Sequence, residues 1–228
     1  MVAVLLLCSG WAAIQLRQRI LRSRAEALLL DIQRLQVGES STTQAQSVIA
    51  RWYQWGPVET ECGAGECTSF IRLQHALPAF LTGFSNPTAN NLLARMADHL
   101  GLRNAAVRAG LRYKGGVVTG KGYSVEVMLP LRDWWTRNAF TPELAVFSDE
   151  TEEFTETELA HIVPTHPYRT VRRIKSPYGL RINFMPQEPA AQKQQYMDFR
   201  LSCLTRFSPC QSESNILPAA SELVNQVF

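Results

Sequence analysis

Residues that could do chemistry are few, and most fail on spacing. Gly115-Gly-Val-Val-Thr-Gly120-Lys121 comes close to the phosphate-binding pattern G-x-x-x-x-G-K-[ST], but Gly122 stands where the magnesium-binding hydroxyl belongs. That loop should also open a helix whose amides hold phosphate, and Tyr123-Ser-Val-Glu-Val-Met-Leu129 has strand character instead. The stretch therefore reads as a hairpin without nucleotide. As an exposed hairpin residue, Lys121 is expected to tolerate alanine within about 0.5 kcal/mol. His161 and His166 are separated by Pro164, so they cannot share a helix face as a metalloprotease pair must. His75 and His99 stand alone. No G-x-S-x-G elbow occurs. Cys203 has no local support as a nucleophile, and pairing would disable it. No catalytic residue, cofactor site or metal site is assigned.

The cysteines are more informative. Apart from Cys8, they form two local pairs, Cys62/Cys67 and Cys203/Cys210. Even numbers at close spacing suit disulfides in an oxidising compartment. Gly63 and Gly65 allow the tight turn that would bring Cys62 to Cys67. A zinc site is the competing reading, although the gaps of four and six residues depart from the usual two to four. Free thiols are the third. Small closed loops constrain the unfolded chain little, so each bridge would add about 2 kcal/mol.

Four tryptophans are candidate interaction residues. Trp52 and Trp55 cluster with Tyr53 beside Arg51, and Trp134 and Trp135 are adjacent. Such residues sit at a bilayer interface, grip a partner, or simply pack under a loop. The basic run Arg169, Arg172, Arg173, Lys175 and Arg181 reads as exposed strand faces, with an anionic-ligand patch as the alternative. Seven acids and no base lie between Glu143 and Glu158, which reads as a solvated loop.

The elements that position these residues follow from periodicity. Residues 2–16 are uncharged and mostly apolar, and Arg17, Arg19, Arg22 and Arg24 follow. As a helix that run spans about 22 Å, short of a hydrocarbon core near 30 Å. No basic n-region precedes it and no small-x-small cleavage site follows, so an uncleaved anchor is favoured over a signal peptide, with a buried helix as the third reading. The arginines argue for a cytoplasmic domain. The cysteines argue for export, and export is preferred.

Leu28, Ile32 and Leu35 share a helical face over 25–37, and Gly38 ends that helix. Ser41 and Gln44 form a capping-box pattern for a second helix closed by Pro57. Strands are expected at 68–75, 105–113, 117–129, 168–175 and 179–185, with Gly115-Gly116 as a hairpin turn. A helix should begin at Pro87 and carry Leu92, Leu93, Met96 and Leu100 on one stripe. Another covers 189–204, and the tail from 211 is read as surface-bound or frayed.

The expected fold is α+β: an N-terminal membrane helix, then a helical hairpin and further helices packed on an antiparallel β-meander. The divisions are a transmembrane or signal-anchor segment at 1–16, a basic juxtamembrane stretch at 17–24, and a single domain at 25–228. With 228 residues and 46% hydrophobic composition, such a domain can bury its own core. A net charge of +3 does not point to nucleic acid.

The order helix, Leu-Gln-Val-Gly-Glu-Ser-Ser turn, helix and Cys-bearing strand resembles the start of the small lipoprotein of the outer-membrane β-barrel assembly machine. Leu35, Val37, Gly38 and Ser40 carry the likeness, over about 30 residues. Beyond it the chain is longer and lacks a lipid-attachment motif. As a whole it resembles uncharacterised single-anchor bacterial membrane proteins. The likeness implies a helix pair on a sheet and an envelope location, and no activity. The expectation is thus a cell-membrane protein with an extracytoplasmic binding or interaction module. It would have the bilayer as partner through 1–16 and a protein as a further partner. The alternative is an anchored hydrolase with an unrecognised site.

Overall fold

The computed structural model describes residues 2–75, 96, 100, 104–128, 143–159, 162–163, 166–175, 178–206 and 210–227. Its centre is an eight-stranded sheet in the order β1-β2-β3-β4-β5-β8-β7-β6. The strands are β1 Val58–Gly63, β2 Glu66–His75, β3 Ala105–Lys114, β4 Val117–Met128, β5 Glu143–Thr151, β6 Ile162–Val163, β7 His166–Lys175 and β8 Tyr178–Phe184. Every neighbouring pair is antiparallel except β5 and β8, which are parallel. The fold is therefore α+β with a mostly antiparallel sheet, and the expected simple meander is broken at that one seam. Parallel neighbours need a crossover, and the chain makes it through α3 Glu156–Leu159, β6 and β7.

All the described helices except α3 pack on one face; α3 lies on the other, where Glu158 meets Asn183. α1 Val2–Gln33 lays Leu21, Ala25, Leu28, Leu29 and Ile32 on the sheet. α2 Thr42–Trp52 starts at the expected capping box, with Ser41 Oγ accepting from Gln44 N and Gln44 Oε1 accepting from Ser41 N. Gly38, at φ 82°, turns the chain between them and donates its N–H to Val118 O. Asp31 locks the helix pair: its carboxylate accepts from Arg51 at 2.9 Å and from Trp52 Nε1 at 2.9 Å. Trp52 is thus buried structure, not a surface aromatic.

The expected anchor, juxtamembrane stretch and first domain helix are one continuous helix, α1. Trp11 Nε1 and Gln15 Nε2 both donate to Leu100 O, so α1 is packed against protein from Trp11 onward. Among the described residues, no helix is long and apolar enough to cross a membrane.

Four expectations need correction. Residues 143–158 are not a solvated loop: Leu144, Ala145, Val146, Ser148 and Glu150 are buried in β5, near the middle of the sheet. Residues 189–204 are not one helix but α4 Ala190–Tyr196 followed by a 3-10 turn, Leu201–Leu204. The tail does not fray. It forms α5 Glu213–Ile216 and α6 Ala220–Val227, with Ile216, Leu217, Ala220 and Leu223 buried. Lys121 is not exposed: its Nζ donates to Leu35 O and pairs with Glu150 at 3.1 Å.

Both disulfides are present. Cys62 and Cys67 are directly opposed residues at the tip of the β1–β2 hairpin, with Cα atoms 4.0 Å apart. Ala64 and Gly65 turn this tip at positive φ. Cys203 and Cys210 clip the 3-10 turn to the chain before α5, with both residues buried. The helix from Pro87, apart from Met96 and Leu100, lies outside the described residues, as do His99, His161, Trp134 and Trp135.

Candidate functional site

Side chains alternate across a strand, so one residue parity faces the helices and the other faces away. On β3, Ala105, Val107, Ala109 and Leu111 go to the core. Ala106, Arg108, Gly110 and Arg112 therefore face the opposite side. The register aligns them with partners on the neighbouring strands. One row across the sheet reads Arg72, Arg108, Ser124, Phe147, Arg181 and Arg172. The next reads Phe70, Gly110, Gly122, Asp149 and Asn183. A third begins Thr68, Arg112 and Gly120.

Three glycines in adjacent strands leave a hollow among long side chains. The groove has a volume of about 540 Å³, within the range of small-molecule sites. The neighbouring side chains lean into the space the glycines vacate. A Cβ on Gly122 would stand 1.9 Å from Asp149 Oδ1, and one on Gly120 would stand 3.1 Å from Arg112 Nε. The ring of Phe70 lies over Gly110 in the same way, with the nearest ring carbon 3.3 Å from that position.

The groove is charged, and its charges are unevenly matched. Arg108 pairs with Glu126 at 3.2 Å, and Arg181 Nε stands 4.0 Å from Asp149 while its guanidinium covers the Phe147 ring. Among the described residues, Arg72 and Arg112 have no ion-pair partner. The Nε atoms of Arg72, Arg108 and Arg181 are buried without a hydrogen-bond acceptor. Glu59 and Glu61 line the rim from the edge strand. Burial pushes the Asp149 carboxyl up to about 6 despite the opposing pull of Arg181 and Arg112, and Glu158 pushes the same way as burial. Glu158 is held by Asn183 Nδ2 at 2.8 Å.

That shift has a consequence for stability. Folded Asp149 holds its proton more tightly than the unfolded chain does, so stability should fall as pH rises from about 4 to about 6 and then level off. The side chain keeps 29% exposure, so the cost above pH 6 is at most about 3 kcal/mol. Asp149→Asn should therefore raise the unfolding free energy at pH 7.5 and change it little at pH 4. Urea melts at the two pH values check this, and an equal effect at both would contradict it.

Among the described residues, no histidine or cysteine lines the groove, so they build no Ser–His or Cys–His pair there. Among the described residues, no group of three or more metal-ligating side chains comes together.

The residues singled out from sequence scatter. Trp52 is in the core, and Trp55 is exposed on the helix side with Arg24 stacked 3.9 Å from its ring. Of the basic run, Arg172 and Arg181 reach the groove face, while Arg169 is buried against Tyr196 and Glu188. Arg72, Arg108, Arg112 and Asp149 were not anticipated. Arg108-x-Gly110-x-Arg112, with Gly120-x-Gly122 on the paired strand, was the available local signal. Searches of family models, characterised proteins and solved structures find no match to this chain.

Proposed function

We propose that this protein is a non-catalytic binding module whose ligand lies in the groove on the sheet face opposite α1 and α2. One observation carries this reading: a 540 Å³ hollow, floored by aligned glycines, into which arginines without ion-pair partners project. Buried donors without acceptors are costly in a folded chain, and sites of this kind mark a ligand. The two disulfides support an oxidising compartment, hence an exported domain. Membrane attachment at the apolar end of α1, and a protein partner, belong to the same proposal. The resemblance of the opening helix pair to the envelope lipoprotein agrees with it.

A fragment screen by amide chemical shift tests the site. Binders should move the amides of Phe70, Gly110 and Gly122 together. Shifts confined to the helix side, around Trp55, would overturn the assignment.

A second reading, a hydrolase, is favoured by Asp149. A carboxyl raised to about 6 in a cleft is a candidate general acid or base. It requires turnover that Asp149→Asn abolishes, whereas the binding module binds without turnover.

A further inference from the structure

We propose that the groove holds the phosphate group of a small organic ligand, gripped by Arg72, Arg108 and Arg112, with the ligand's apolar part against the Phe70 ring that covers Gly110. This rests on the reading of the groove as a binding site and names what the site takes.

The argument starts from donors. Arg72 and Arg108 are directly opposed on neighbouring strands, and Arg112 lies on the same face of β3, two residues beyond Gly110. Three arginines therefore line one groove. A planar carboxylate offers two oxygens to such a set, whereas a phosphate offers three around a tetrahedral centre and charge enough for more than one arginine. Arginine forks match phosphate bidentately. The buried Nε atoms of Arg72 and Arg108 already lack acceptors. Size adds a second argument. A volume of about 540 Å³ is far more than an inorganic ion fills, and Phe70, 42% exposed, gives the remainder an aromatic wall.

Asp149 shapes the pH dependence. It faces Arg112 from β3, Arg181 from β8 and Glu158 from α3, while β4 contributes only Gly122 beneath it. Ionised, it repels an incoming anion. Protonated, it is neutral and donates a hydrogen bond. Anion binding should therefore strengthen as pH falls through about 6.

The experiment titrates the full chain with phenyl phosphate, and in parallel with benzoate and benzyl alcohol, and follows the Gly110 and Gly122 amides. The proposal expects saturable shifts with phenyl phosphate, at least tenfold weaker in Arg72→Gln and in Arg112→Gln, with the dispersed amide spectrum retained. Arg206→Gln, away from the groove, should leave the affinity unchanged. Phenyl sulfate, which does not titrate in this range, should bind about tenfold more tightly at pH 5 than at pH 7.5 in the wild type, and equally at both in Asp149→Asn. If benzyl alcohol or benzoate shifts those amides and phenyl phosphate does not, the groove is a binding site but the phosphate assignment is overturned. If none of the three shifts them, the assignment of the groove falls as well.

Discussion

Replacing Glu188 with alanine is expected to lower the unfolding free energy by about 3–5 kcal/mol, the usual cost of removing one member of a buried ion pair. Glu188 and Arg169 have side-chain exposures of 2% and 3%, with Arg169 Nη1 3.9 Å from Glu188 Oε1. Tyr196 bridges them: it accepts from Arg169 and donates to Glu188 at 3.2 Å. Without Glu188, the buried guanidinium loses the carboxylate it faces, and the Tyr196 hydroxyl loses its acceptor. Glu188→Gln keeps that acceptor and should cost less than alanine. Urea denaturation of the three proteins gives the comparison, and a loss under about 1 kcal/mol for alanine would show that water or other acids reach Arg169.

Lys121→Ala is expected to cost about 3 kcal/mol, at the low end of the same range. Lys121 lies on β4 beneath the turn between α1 and α2, where its Nζ donates to Leu35 O and pairs with Glu150. Alanine removes both contacts and leaves Glu150 with Lys193 alone, at 3.4 Å. Lys193 is 29% exposed, so it compensates only in part. The exposed Lys114 is the control, and its alanine variant should lie within about 0.5 kcal/mol of wild type. A double-mutant cycle with Glu150→Ala isolates the pair, because the double variant should lose less than the sum of the two single variants. Additive losses would contradict the coupling.

Lys121 also shows where sequence reasoning ends. The strand and its Gly115-Gly116 turn, both glycines at positive φ, were legible, but nothing near Lys121 in sequence showed that it faces the buried side of β4. Local features were readable: the Ser41/Gln44 box, the Gly115-Gly116 hairpin, the face of Leu28 and Ile32, and both cysteine pairs. Each depends on residues a few positions apart.

What was missed depends on long-range pairing. In β5, Leu144 and Val146 share the core face with Ser148 and Glu150, so the apolar period fades after two residues. Glu150 is tolerable there only because Lys121 and Lys193, from distant parts of the chain, meet it. The apolar residues of the tail from 211 fall in two short helices separated by Pro218, and they are held through Ile216, Leu217 and Leu223 by the sheet and the 3-10 turn. The groove is the extreme case. Its arginines come from β2, β3 and β8, and only the strand register brings them to one face. The fold class was therefore within reach, and the site was not.

The central claim is that this protein binds its ligand on the face opposite α1 and α2. Photolabelling in living cells tests it most directly. A photoreactive phenylalanine analogue is placed at Phe70, in the groove, and in a second strain at Tyr53, which is 72% exposed on the helix layer. The intact mass of the purified protein is then measured. The account predicts a light-dependent adduct of discrete mass from position 70 and none from position 53. An adduct from position 53 with none from position 70 would contradict it.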